Sequence, residues 1–137
     1  MSAKEGKTSS KKSLRFLIVD DHMGSRSLVK AVLSQGGYTN VRSCENGVKA
    51  LSVLKQGEID IVVCDWNMPT MTGIDLLKHM RKDDSTNSIP FIMLTAQQEQ
   101  SEVVMAVSHG ATDYIVKPFT PETLISKVER IIKKYYS

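Results

Sequence analysis

Short apolar runs alternate with helix-periodic stretches along the chain, and this alternation restricts the fold more than any other feature. Phe16–Val19 is an uninterrupted apolar run of strand length, as expected for a strand covered on both faces. Leu28, Val29, Val32 and Leu33 then recur at helical spacing until Gly36-Gly37 interrupts them. Val41–Cys44, Ile59–Cys64, Phe91–Leu94 and Tyr114–Val116 read as four further strands. Between them, Val48, Leu51 and Leu54 mark a second helix, and Ile74, Leu76, Leu77 and Met80 a third that Gly73 opens. Val103, Val104 and Val107 mark a fourth, ending near Gly110. The last helix starts with Thr120 as N-cap, Pro121 behind it and Glu122 in the first turn. Its stripe is Leu124, Val128, Ile131 and Tyr135, with Ile125 and Ile132 beside it. Five strand–helix pairs predict a single α/β domain, a doubly wound parallel sheet with helices on both faces and right-handed crossovers.

Charge distribution bears on partners. The net charge of +3 resides in residues 1–12, where Lys4, Lys7, Lys11 and Lys12 face only Glu5. Residues 13–137 carry balanced charge, so the body has no basic excess for a phosphate backbone, and no nucleic-acid partner is expected. Residues 1–13 read as a flexible polar tail. They lack the apolar core of a secretory signal, and no apolar run approaches the ~20 residues of a membrane span. Cys44 and Cys64 sit in apolar segments without metal-ligand or disulfide spacing, which points to a cytoplasmic chain with no membrane partner.

In a parallel sheet of this kind, ligands bind at the carboxyl ends of the strands. Those ends carry Asp20-Asp21, Asp65, Thr95 and Lys117-Pro118. Each alone is an ordinary turn residue, but the topology brings all of them to one edge. Two carboxylates ~5 Å apart repel by roughly 3 kcal/mol at an effective dielectric near 20. Three converging acids therefore keep protons or recruit a cation, and Mg²⁺ suits a few carboxylates with waters and a phosphoryl oxygen. Lys117 adds a point positive charge and Thr95 a hydroxyl. Together they describe a phosphoryl site in which a carboxylate is the nucleophile.

These residues carry a family resemblance. The stretches Phe16–Asp21 (FLIVDD), Cys64–Pro69 (CDWNMP), Met93–Ala96 (MLTA) and Asp113–Thr120 (DYIVKPFT) resemble the receiver domain of two-component response regulators, most closely the stand-alone chemotaxis type. The likeness spans residues 14–137, which it marks as the receiver domain. It implies a flavodoxin-like strand order of 2-1-3-4-5, a known property of that family and not a reading of spacing. It further implies that Asp65 accepts a phosphoryl group from a phosphohistidine on a sensor histidine kinase. Asp21 would be the direct acidic Mg²⁺ ligand, Asp20 would act mainly through metal-bound water, and the Asn67 backbone carbonyl would complete the set with Asp65. Thr95 and Lys117 would bind phosphoryl oxygens, and the Lys117–Pro118 peptide would be cis. Tyr114 matches the aromatic switch residue that responds with Thr95, and output would pass through the surface of helix four, strand five and helix five. Asn67 and Gln97 occupy positions that tune hydrolysis of the phosphoryl group, with Gln97 where glutamate is expected.

The implied protein is a monomeric single-domain regulator that acts by protein contacts. Its partners would be the kinase, the flagellar motor switch and a phosphatase. It is a signalling protein and not an enzyme, catalysing only its own phosphorylation and dephosphorylation. A phosphate sink or phosphorelay carrier of the same fold is the alternative. A Mg²⁺-dependent phosphohydrolase is a further rival, yet Asn67 stands where the second aspartate of its D-x-D motif belongs. A nucleotide or flavin carrier would need a glycine-rich loop, and Asp20–Ser27 holds only Gly24. Among the neighbours, Trp66 is expected beside the site, His22, His79 and His109 are expected at the surface, and Met68 and Met71 are expected in packing.

Overall fold

The computed structural model describes residues 13–96 and 100–136. Its strands are β1 (Phe16–Val19), β2 (Val41–Cys44), β3 (Ile61–Asp65), β4 (Phe91–Thr95) and β5 (Asp113–Val116). The helices are α1 (Met23–Gln35), α2 (Gly47–Lys55), α3 (Gly73–Lys82), α4 (Gln100–Ser108) and α5 (Pro121–Tyr135). All neighbouring strands run parallel, in the order β2-β1-β3-β4-β5. This matches the expected architecture, including β2 at the sheet margin. Strand limits differ from the sequence reading only at the ends: β3 begins at Ile61 and runs through Asp65, β4 extends to Thr95, and β5 takes in Asp113.

Alternation along each central strand divides the core in two. Phe16, Ile18, Ile61, Val63, Ile92, Leu94 and Ile115 face α1 and α5, meeting Val29, Val32 and Leu33 from one and Leu124, Val128 and Ile131 from the other. Leu17, Val19, Val62, Cys64, Phe91 and Met93 face the other way, against Ala50 and Leu54 of α2, Leu76, Leu77 and Met80 of α3, and Ala106 of α4. Each fully buried aliphatic or aromatic side chain contributes roughly 1.5–3 kcal/mol, so both faces hold the sheet rigid under the loops at its edge.

Several apolar positions do not follow the stripe that spacing predicts. Leu28, Val48, Val104, Val107 and Tyr135 are exposed, and Ala50 and Ala106 are buried in the positions nearest the sheet. Helices of nine residues, such as α2 and α4, touch the sheet along a narrow line, which small side chains fill. The α5 start is as expected, with Thr120 accepting from the Thr123 N–H and Pro121 at the first position. A capping box opens α3, Thr72 and Asp75 each accepting from the other's backbone N–H, a device the sequence reading did not pick out. Cys44 and Cys64 are free thiols. No helix among the described residues is long and apolar enough to cross a membrane.

Candidate phosphoryl site at the strand ends

Register explains why distant residues meet. Val19 pairs with Cys64, Asp65 with Leu94, and Thr95 with Val116. The next residue of β1 is Asp20, level with Asp65, and the next of β5 is Lys117, just beyond Thr95. Four loops thus begin at one edge.

Lys117 ties the edge together. Its Nζ donates to Asp65 Oδ1 at 2.9 Å, to Ser25 Oγ at 3.3 Å and to Asp20 Oδ2 at 3.4 Å. Its backbone N–H donates to the Thr95 carbonyl at 2.7 Å, and the Lys117–Pro118 peptide is cis, as expected. Burial alone would lower the lysine pKa, but the hydrogen bond and charge of Asp65, with those of Asp20, outweigh it and hold the ammonium above its usual range. Burial pushes the Asp65 carboxyl up, opposed by Lys117 and reinforced by the charges of Asp20 and Asp21. Asp20 is fully buried and Asp65 nearly so.

Asp20, Asp21, His22 and Asp65 present ligand atoms that all lie within 4.8 Å of one another. Asp21 Oδ1 is shielded from solvent yet accepts no hydrogen bond. A buried anionic oxygen without a donor is costly unless a cation satisfies it, so the donor set fits a hard divalent ion.

The other expected residues differ in burial and in partners. Thr95 is buried, and its hydroxyl donates to Glu102 Oε2 of α4 at 3.2 Å. Asn67 is exposed in the loop after β3, Trp66 is half-buried beside Asp65, and Met68 is buried. Tyr114 is half-buried, with Lys127 Nζ 5.2 Å from its ring centroid and bonded to Asp113 Oδ1 at 2.8 Å. His22, His79 and His109 are exposed, as expected, and Gln97 lies outside the described residues. Sequence reasoning missed Ser25 and Glu102. Ser25 lies in the first turn of α1, directly after the acid pair, and that placement was a legible signal. Glu102 had none, because no periodicity links it to Thr95 across the intervening loop.

The response regulator receiver domain model matches residues 16–129. The chain belongs to the response regulator receiver family. It is 42% identical over 123 residues to chemotaxis protein CheY-3 of Vibrio cholerae, covering 90% of this chain and 95% of that one. The structure of chemotaxis response regulator CheY4 of Vibrio cholerae superposes with a TM-score of 0.81 at 33% identity, covering 87% of this chain and 98% of the other. A receiver domain from a sensor histidine kinase of Pseudomonas aeruginosa gives a TM-score of 0.80 at 25% identity, covering 88% of this chain and 98% of that one. In that receiver a magnesium ion is coordinated in the active-site cleft. This receiver's acidic group therefore sits in a fold known to hold magnesium, and its relatives are CheY-type chemotaxis regulators.

Proposed function

We propose that this chain, over residues 14–137, is a response regulator whose Asp65 takes a phosphoryl group from a histidine kinase and which signals in chemotaxis through protein contacts. The observation that carries the reading is the Lys117 ammonium, bonded at once to Asp65 and Asp20 beside an acid with an unsatisfied buried oxygen. An Asp65 carboxylate oxygen attacks phosphorus in line, the new O–P bond forms as the P–N bond to the donor imidazole breaks, and the imidazole keeps the electron pair. Lys117 orients Asp65 and neutralises charge on a phosphoryl oxygen, and Thr95 supplies a hydroxyl donor. Asp20, Asp21, Asp65 and the Asn67 carbonyl would hold Mg²⁺, which when bound neutralises charge on the transferring group. Asn67 and Gln97 govern access of hydrolytic water, and Tyr114 responds with Thr95.

Output passes through α4, β5 and α5. Val104, Met105 and Val107 expose apolar side chains on α4, which favours a protein ligand such as the flagellar motor switch over a phosphate sink. Incubation with Mg²⁺ and a small phosphodonor is expected to add one hydroxylamine-labile phosphoryl mass, and Asp65→Asn to prevent it. Unchanged mass in the natural chain, or equal modification of Asp65→Asn, overturns the reading. The modified form is expected to bind a motor-switch peptide more tightly than the unmodified form, whereas equal binding favours the sink.

Asp65→Asn has a second consequence. A carboxyl whose folded pKa is raised withholds stability above that pKa and returns it as pH falls toward the ordinary 3.8. The substitution is expected to raise the melting temperature by a few degrees at pH 7, with the gain vanishing near pH 4.

Glu102 opposes the phosphorylated state by accepting the Thr95 hydroxyl and placing a negative charge near the incoming group. Glu102→Ala is expected to tighten binding of the phosphoryl mimic beryllofluoride, with Mg²⁺, about fivefold by Trp66 fluorescence. Unchanged or weaker binding would sink that role.

A further inference from the structure

Beside the acids stands a group of different chemistry. His22 occupies the N-cap of α1 in an extended conformation, φ −99° and ψ 121°, and its side chain makes no capping bond. Its backbone N–H donates to Asp20 Oδ1 at 2.9 Å, which ties the residue to the cluster. The imidazole Nδ1 lies 3.1 Å from Asp21 Oδ1 and 3.6 Å from Asp20 Oδ1. The nearer of these is the shielded oxygen that accepts no hydrogen bond. An oxygen and a ring nitrogen bound side by side on one cation, with bonds of about 2.1 Å, stand about 3 Å apart. The ring is 74% exposed, so packing does not fix it away from the site.

We infer, building on the receiver reading above, that His22 is an added nitrogen ligand of this site and raises its affinity for Co²⁺ and Ni²⁺ relative to Mg²⁺. Mg²⁺ demands oxygen ligands and keeps its waters, so an imidazole adds little to its binding. Imidazole suits the later first-row ions, whose affinities for a mixed nitrogen and oxygen site rise from Co²⁺ to Ni²⁺. The donor set is an imidazole nitrogen of His22 with carboxylate oxygens of Asp20, Asp21 and Asp65, one atom from each within 4.8 Å of the rest. One exposed side chain next to the acid pair thus shifts the selectivity of this receiver among cations.

The experiment titrates the full chain with Mg²⁺, Co²⁺ and Ni²⁺ separately, following Trp66 fluorescence and, for Co²⁺, the visible absorption of the bound ion. His22→Ala is expected to weaken Co²⁺ and Ni²⁺ by at least about tenfold and Mg²⁺ by less than about twofold, with a change in the Co²⁺ spectrum. His22→Asn places a good N-cap at the same position, keeps α1 capped, and is expected to give the same result. Equal effects on all three ions, no effect on Co²⁺ and Ni²⁺, or tighter binding by His22→Ala overturn the inference; the last would mark His22 as a charge competing with the cation. A natural chain that binds none of the three, with Asp21→Asn indistinguishable from it, would overturn the receiver reading as well. Intact Mg²⁺ binding with no histidine effect removes only the inference.

Discussion

Lys117→Met is expected to cost about 3 kcal/mol of folding stability at neutral pH in the presence of a chelator, a fall of about 10 °C in Tm. Among the described residues the Lys117 ammonium is the cation paired with Asp65, and Asp20 shares it. The methionine keeps the length of the stem, so the loss isolates the charge. Two buried carboxylates are then left facing each other and Asp21 without compensation. The deficit has a defined pH course. Lys117 holds the Asp65 pKa below where burial would put it, so removing the lysine raises that pKa further. The difference between the chains is therefore complete where Asp65 is ionised in both and closes as acid protonates Asp65, first in the variant and then in the natural chain. Mg²⁺ at saturation is expected to recover part of the loss at pH 7, because a divalent ion restores the missing positive charge. Urea denaturation across pH 4–8, with and without Mg²⁺, measures both effects. A deficit independent of pH and of Mg²⁺ would mean that Lys117 acts through packing of its stem.

Gly73→Ala is expected to disable the site from behind. Gly73 donates its N–H to the Trp66 carbonyl at 2.9 Å, which presses the start of α3 against the end of β3. A Cβ there would lie 2.5 Å from the Asp65 carbonyl oxygen, 2.8 Å from Met93 Sδ and 3.1 Å from Trp66 Cα. Met93 can turn aside, but the backbone at Asp65 and Trp66 can only shift. Overpacking of this kind costs about 1–3 kcal/mol. The shift also moves the nucleophile, and a displacement near 1 Å lowers transfer rates by about 100-fold. Phosphorylation by a small phosphodonor is thus expected to slow far more than the loss of stability explains, with the protein still folded by circular dichroism. Gly24→Ala is the matched control, since nothing lies within 4 Å of its added Cβ, and there the rate and stability should hold. Equal rates for the two alanine variants would show that the close approach does not position Asp65.

Much of this site was legible before any coordinates. The apolar runs bounded β1, β3 and β4 to within two residues at each end, because a strand buried on both faces cannot admit polar residues until it leaves the core. That same rule put Asp20, Asp65, Thr95 and Lys117 at the edge, where the first polar residues after each run must emerge. Helix faces were less legible. Val104 and Val107 have helical spacing yet face outward, and among the described residues of α4 it is Ala106 that is buried in the core. Spacing marks an apolar stripe but does not say whether the stripe faces the core or a partner.

The sequence by itself determined the α/β alternation, the residues at the strand ends and the kind of chemistry they could do, because hydrophobic periodicity and ionic repulsion act through local order and residue type. Tertiary structure alone decided which groups touch. Lys117 reaches Ser25 as well as two acids, Glu102 takes the Thr95 hydroxyl, Asp21 keeps an oxygen without a donor, and the His22 ring lies against that oxygen. Such contacts depend on strand register, loop path and rotamer to within an ångström, and one-dimensional spacing carries none of these across an intervening strand or loop.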